Sequence, residues 1–203
     1  MEKSAILEPD WAQPRPTFGD VIAMTQSIGL NRVMLPEKLF SDFLSSLRES
    51  HNNGGAYIEA FDVLPNNIFD WFASRNRLSE EELIDTLMIH PAIRAALPEI
   101  EISEIKPSTG LTLGDPFLLD GTFARRLHYG GAYWNAKNNG KPAKALALEV
   151  CDAMFGLRYG EVSLLESFKA WTPWFRCIAW DLTEVLFDRR LRRLWVFVIT
   201  DTD

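Results

Sequence analysis

The chain has 203 residues, a net charge of −7 and a hydrophobic share of 47%. Its seven Trp and thirteen Phe residues are too much apolar surface for a disordered chain. The apolar run from Leu194 to Ile199 is far shorter than the roughly 20 residues of a membrane-spanning helix. We therefore expect a soluble protein outside the membrane, with a single domain over residues 1–203.

Charge is distributed unevenly along the chain. Residues 1–120 contain 19 acidic and nine basic side chains, a net charge of −10, whereas residues 121–203 carry a net charge of +3. An acidic surface repels nucleic acid and attracts basic partners. The pattern favours another protein, of basic character, as partner and argues against nucleic acid; the alternative is that the charge only keeps the protein soluble.

The first half of the sequence is predicted to be mainly helical. An irregular, proline-rich arm over 1–16 precedes a helix that Thr17 caps and that runs to about Ile28. Pro36 opens a second helix, whose buried face has a 3.6-residue period. That face comprises Leu35, Leu39, Phe40, Phe43, Leu44 and Leu47.

Shorter elements follow up to residue 97. Residues 56–64 fit either a strand or further helix. Asn66 or Asn67 is predicted to cap a short helix, and Ser79 with Glu82 matches a capping box for the next one. A last helical turn is expected over 91–97, after the break at His90-Pro91.

The pattern changes near Pro98, which also makes a subdomain change at this point an alternative to one shared core. Residues 99–105 alternate acidic and apolar side chains, as a strand does. Residues 117–119 and 122–129 are predicted to form a hairpin around Asp120-Gly121. Pro142 then opens a helix that Gly156 closes.

Antiparallel strands are predicted over 161–167, 176–187 and 193–200. The last of these is apolar on both faces, which is typical of a central strand covered on both sides, and we expect helices over it. Together the elements predict an α+β protein, with a mainly helical N-terminal half packed on an antiparallel C-terminal sheet.

No nucleotide-binding, zinc-binding, calcium-binding or nucleophile-elbow motif occurs in the sequence. We therefore expect no cofactor and no metal, although Asp181, Asp201 and Asp203 could meet near one sheet end as ligands of a hard cation. Cys151 and Cys177 lack ligand spacing and suggest reduced thiols in the cytoplasm, with one disulfide as the alternative.

The segment Arg125-Arg126-Leu127-His128-Tyr129 is the strongest candidate binding site in the sequence. Two guanidinium groups beside the glycine pair at 130 and 131 could hold a phosphate or carboxylate, and His128 could act as an acid or base. The alternative is an exposed strand that ends in a turn.

Trp171 and Trp174 flank Pro173 and suit an interface as well as a core. A second basic cluster precedes Trp195 at a predicted hairpin turn, and we expect it to pair with acids of the first half. It comprises Arg189, Arg190, Arg192 and Arg193.

The sequence does not determine the function. Its best interpretation is a non-enzymatic protein-binding module, such as an inhibitor, immunity or regulatory protein, with an acidic binding surface. The alternative is an enzyme that acts on a small anionic substrate near Arg125, Arg126 and His128. A weaker hypothesis is a structural subunit with an exposed apolar patch at Trp171 and Trp174. The oligomeric state does not follow from the residues.

Overall fold

The computed structural model describes residues 5–25, 27–133 and 140–202. A six-stranded sheet forms its centre, and every pairing in the sheet is antiparallel. The spatial order of the strands is β1-β2-β6-β5-β4-β3. Their ranges are β1 Leu30–Arg32, β2 Gly55–Val63, β3 Thr112–Leu113, β4 Val162–Ser167, β5 Leu182–Asp188 and β6 Arg193–Thr200.

Helices cover both faces of this sheet, so the molecule has three layers. The helices of the described part are α1 Phe18–Thr25, α2 Glu37–Ser50, α3 Asn67–Ser74, α4 Leu83–Met88, α5 Pro91–Ala96, α6 Leu119–Tyr129 and α7 Lys141–Phe155. One core contains the apolar residues of α1, α3, α4 and α5. The other contains those of α2, α6 and α7. The predicted α+β class is confirmed.

The central strand β6 explains why both layers are needed. Its side chains alternate between the two cores, with Leu194, Val196 and Val198 in one and Trp195, Phe197 and Ile199 in the other. Residues 194–200 of this strand are all buried. The prediction that this strand is central and covered on both sides is therefore confirmed. Because β6 pairs with β2, the sheet includes a strand from the first half of the chain.

Several predicted helix starts are confirmed by their capping bonds. The Thr17 hydroxyl accepts the Asp20 amide, and the Asp20 carboxylate accepts the Thr17 amide at 2.7 Å. The Asn66 side chain accepts the amides of Ile68 and Phe69, which begins α3. In contrast, the capping box Ser79–Glu82 is wrong, because Glu82 itself precedes α4 with a φ of 51° and makes no side-chain cap.

The strand predicted over 99–105 is also wrong. Pro98–Ile100 forms a 3-10 helix, and Glu101 follows it with a positive φ of 55°. Ile100 and Ile102 are buried whereas Ile105 is largely exposed, so the apolar positions do not share one face. A run of alternating residues forms a strand only where a neighbouring strand pairs with it, and residues 99–105 have no such neighbour in the described part.

The hairpin predicted at 117–129 is replaced by α6. Leu119, Phe123 and Leu127 are spaced four residues apart and pack on the α2 and α7 side of the sheet. This spacing is the helical signal that the turn-like pair Asp120-Gly121 obscured. The strand predicted from residue 176 begins only at Leu182, because the Asp181 carboxylate accepts the amides of Arg176 and Ile178 and folds this stretch into turns.

The arginines between β5 and β6 are engaged within the protein. Arg190 binds Glu161 through two bonds of 2.6 Å, and Arg192 and Arg193 pair with Asp70 and Asp62 of the first half. Arg189 donates to the carbonyls of Gly160 and Glu161. The predicted pairing with acids of the first half is confirmed for Arg192 and Arg193, whereas Arg190 pairs with Glu161 of the second half and Arg189 binds backbone carbonyls. No helix among the described residues is long and apolar enough to span a membrane.

Candidate functional site

A group of exposed apolar side chains lies where β3, the 3-10 helix Pro116–Leu118 and the 3-10 helix Tyr159–Glu161 meet. We call this surface the β3 corner and define it by the exposed Phe117, Leu118 and Leu157 and the half-buried Tyr159. Phe117 is 66% exposed, Leu118 65% and Leu157 93%. Several large exposed apolar side chains in one region suggest an interaction site, whereas a single one does not.

Local chain geometry pushes two of these side chains outward. The Asp115 carboxylate accepts the Phe117 amide at 3.0 Å, and Pro116 fixes the first position of the turn. The turn then continues directly into α6, whose first residue, Leu119, is fully buried. Because successive residues of a tight turn point in different directions, burying Leu119 leaves Phe117 and Leu118 facing solvent.

The aromatic rings of the β3 corner are held in place from the interior. Phe117 and Tyr159 stack with their centroids 5.0 Å apart and their planes within 18°. Tyr159 in turn meets the edge of Phe155, a buried residue at the end of α7, at 4.9 Å. The exposed ring therefore belongs to a three-ring column anchored in the core, and it presents a fixed flat surface to a partner.

Carboxylates border this surface. We call Asp115, Asp120 and Asp152 the acidic rim. Asp120 follows Phe117 by three residues, Asp152 lies in the last turn of α7, and burial raises the pKa of the Tyr159 hydroxyl. Within residues 5–25, 27–133 and 140–202, no Lys or Arg forms an ion pair with any member of the acidic rim. The β3 corner thus combines apolar contact area with uncompensated negative charge.

The residues predicted as a site from the sequence lie on α6 instead of on a strand. Arg125 is exposed, whereas the side chain of Arg126 turns inward and donates to the Trp180 carbonyl at 3.2 Å. On a helix, each residue is rotated by about 100° from the last, so Arg126 and His128 point to nearly opposite sides. His128 contacts the ring of Tyr129, which is mostly exposed. The structure does not bring these four side chains to one point.

Arg126 belongs to a buried group of charges that the sequence analysis did not anticipate. We call Arg126, Asp181 and Glu184 the buried charge centre. Glu184 lies on β5 with no solvent exposure, and neither of its carboxyl oxygens has a hydrogen-bond partner among the described residues. Burial, with the charge of Glu166 on β4, raises the pKa of Glu184 to about 8, and Arg126 opposes this increase. Glu184 is therefore a neutral carboxylic acid at pH 7.

The sequence did contain a signal for Glu184. Leu182, Glu184 and Leu186 occupy alternate positions of β5, and both leucines lie in the core beneath α6 and α7. Because side chains alternate between the two faces of a strand, an acidic residue between two apolar ones at alternate positions is buried with them. Its neighbour Asp181 is fully buried but fully bonded, with the Thr200 hydroxyl 2.5 Å away.

His51 and Asp201 connect the end of α2 to the end of the sheet. The Asp201 carboxylate accepts the amides of Asn53 and Ala132 at 2.9 and 2.7 Å. His51 Nδ1 lies 2.9 Å from the Leu47 carbonyl, while its Nε2 has no partner among the described residues. Burial lowers the pKa of His51. Asp201 therefore ties two loops together, and the buried His51 favours its neutral form.

Trp171 and Trp174 pack against the core of the α1, α3, α4 and α5 side of the sheet, opposite the helices that lead to the β3 corner. The Trp171 indole donates to the Thr183 hydroxyl at 2.8 Å, and Trp174 meets the edge of the Tyr57 ring at 5.7 Å. Both indoles are half-buried. They cover part of this core and do not belong to the β3 corner.

Within the described part of the chain, no cluster of three or more His, Cys, Asp or Glu side chains could hold a metal ion. Asp203, the third acid of the suggested cation site, lies outside the described residues. Cys151 and Cys177 are both free thiols, and burial raises the pKa of Cys151. Comparisons with known protein families, with curated proteins and with solved structures find no match to this chain.

Proposed function

We propose that this protein is a non-enzymatic binding module that attaches to a basic protein through the β3 corner. The observation that carries the proposal is the fixed, exposed ring of Phe117, flanked by exposed leucines and bordered by the acidic rim. Aromatic side chains in such positions supply much of the affinity of protein interfaces. Carboxylates around them accelerate the approach of a positively charged partner and reject a negatively charged one.

The use of the other polar groups supports this proposal. Asp181 and Asp201 bind backbone amides of neighbouring loops, and Arg190, Arg192 and Arg193 are paired with carboxylates of the protein itself. These side chains serve the fold. The β3 corner is different because Phe117, Leu118 and Leu157 expose most of their apolar surface and none of its carboxylates is paired with a Lys or Arg in the described part of the chain. We place the binding in the cytoplasm, and the two unpaired thiols support this location.

The experiment is an affinity capture from the native host, followed by measurement with the purified partner. The test variant carries Phe117→Ala and Leu157→Ser. The matched control carries Met34→Ser and Ile105→Ser, because these two apolar side chains are also strongly exposed, at 89% and 80%, but lie outside the β3 corner. We expect one basic protein at a one-to-one ratio and a Kd at least about tenfold higher for the test variant than for the control.

Two results would contradict the proposal. One is an equal Kd for the test and control variants, since it would place the interface elsewhere. The other is an acidic partner that binds as tightly at low as at high ionic strength, because charge attraction to the acidic rim weakens when salt screens it.

An enzyme acting on a small anionic substrate near Arg125, Arg126 and His128 is the second candidate. Burial lowers the pKa of the Arg126 guanidinium, and groups with shifted pKa values are more frequent at functional sites. The carboxylate of Asp181 acts on the same guanidinium and disfavours an anion beside it. Titration with inorganic phosphate, monitored by NMR of the arginine side chains, tests this candidate: a shift confined to Arg125 and Arg126 supports it.

A further inference from the structure

We infer that the basic partner inserts an arginine side chain into the β3 corner, where its guanidinium lies flat on the Phe117 ring and pairs with the acidic rim. This inference rests on the proposed function, since it specifies the chemistry of the partner that occupies the same surface. Two properties of the corner point to arginine, the orientation of the exposed ring and the position of the carboxylates.

The ring geometry comes first. Tyr159 covers one face of Phe117, with an angle of 18° between the planes, so the exposed area of Phe117 consists of the opposite face and the ring edges. Contact of Tyr159 with the buried Phe155 prevents the stack from collapsing inward. A fixed, accessible aromatic face attracts cations, and a planar guanidinium can stack on it in parallel.

The carboxylates supply the second half of the site. Asp120 is the second residue of α6, three residues after Phe117, and Asp152 lies in the last turn of α7, three residues before Phe155. Asp115 precedes Phe117 by two residues. Arginine matches this arrangement better than lysine, because it can stack and donate to a carboxylate at the same time and is less strongly hydrated. Exposed Leu118 and Leu157 would contact apolar neighbours of that arginine.

Other ligand classes fit this surface poorly. Nucleic acids and anionic lipid headgroups carry phosphates, which the uncompensated carboxylates of the acidic rim repel. A purely apolar segment would cover the leucines but would leave the carboxylates without a cationic partner at the edge of a desolvated contact, which costs free energy. A basic segment in which arginine stands between apolar residues satisfies both parts of the surface.

The test uses three acetylated, amidated tripeptides that carry leucine at both ends and arginine, lysine or citrulline in the centre. Citrulline keeps the shape of arginine but has no charge. Binding is followed by NMR titration of the backbone amides. We expect shifts at Phe117, Leu118 and Tyr159, with the arginine peptide binding at least about threefold more tightly than the lysine peptide and the citrulline peptide weakest.

Two variants test whether Phe117 and Asp152 bind the charged peptides. Phe117→Ala should remove the preference for arginine over lysine, and Asp152→Asn should weaken both charged peptides by about twofold while leaving citrulline unchanged. Ile105→Ala, on the α4 side of the sheet, is the control and should change nothing. Equal binding of the arginine and citrulline peptides, or shifts outside the β3 corner, would overturn the inference. In that case the captured partner could still bind through Leu157. The capture experiment therefore tests the proposed function independently of this inference.

Discussion

The buried charge centre and the β3 corner are opposite departures from the usual arrangement of a protein. At the buried charge centre, Glu184 is removed from water and both of its oxygens lack a hydrogen-bond partner in the described part. At the β3 corner, Leu157 and one face of the Phe117 ring remain in water. The first departure costs stability, because a buried carboxyl without partners is worse off than in solvent. The second costs little stability and makes apolar area available for binding.

This difference predicts which substitutions change folding and which change binding. A substitution at the buried charge centre should change folding and its pH dependence. A substitution at the β3 corner should leave folding unchanged and alter binding. Measurements of stability therefore test the two predictions before any partner is known.

The largest effect is expected for Glu184→Gln. Folded Glu184 keeps its proton up to about pH 8, whereas in the unfolded chain the carboxyl ionises near its ordinary pKa of 4.5. The unfolded state thus binds fewer protons between these pH values, and the free energy of unfolding falls as the pH rises. Glutamine does not ionise. The free energy of unfolding of the variant relative to the wild type should therefore increase by about 3 kcal/mol from pH 5 to pH 8.

Urea unfolding at pH 5, 6, 7 and 8 measures this gain, and Glu149→Gln is the control because Glu149 is exposed on α7. If the free energies of unfolding of wild type and Glu184→Gln differ by the same amount at every pH in this range, Glu184 is ionised in the folded protein. Glu184 and Arg126 would then form an ordinary ion pair. The buried charge centre would no longer hold an uncharged, unbonded carboxyl group.

A smaller effect is expected for Arg126→Ala, with Arg125→Ala as the matched control one residue earlier on α6. Arg126 is partly buried and donates to the Trp180 carbonyl, so its removal should lower the free energy of unfolding by about 2 kcal/mol. Exposed Arg125 should change it by less than about 0.5 kcal/mol. Because Arg126 lowers the pKa of Glu184, its loss should also move the titration of Glu184 above pH 8. Equal stabilities of the two variants would place Arg126 among the surface residues.

Sequence reasoning succeeded where a local pattern and the tertiary environment agreed. Strand β6 was identified because its apolar residues occupy both faces, and α3 because Asn66 accepts amides from its first turn. The strand predicted at 99–105 and the hairpin predicted at 117–129 are wrong. There the alternation of acidic and apolar residues, or a turn-like pair such as Asp120-Gly121, resembled sheet although nothing nearby could complete one. Secondary structure of such short segments is decided by what packs on them.

The candidate site was harder to predict than the fold. The residues with the most evident chemistry, Arg126 and His128, lie on different sides of α6, whereas Phe117 and Leu157 carry no catalytic group and look like core residues in the sequence. An exposed phenylalanine becomes informative only when its exposure is known, and exposure depends on contacts such as that between Phe117 and Tyr159, which are 42 residues apart. The single-domain organisation stays a prediction, which the pairing of β2 with β6 supports.

The smallest effect on stability is expected for Leu157→Ser at the β3 corner. Leu157 is 93% exposed, so serine removes almost no buried area and the free energy of unfolding should change by less than about 0.5 kcal/mol. Leu164→Ser, on the adjacent strand β4 but almost fully buried, should cost several times as much and serves as the contrast. A loss of more than about 1 kcal/mol for Leu157→Ser in thermal or urea unfolding would mean that this side chain helps to close the core. The β3 corner would then be part of the protein interior, and its exposure would no longer indicate a partner.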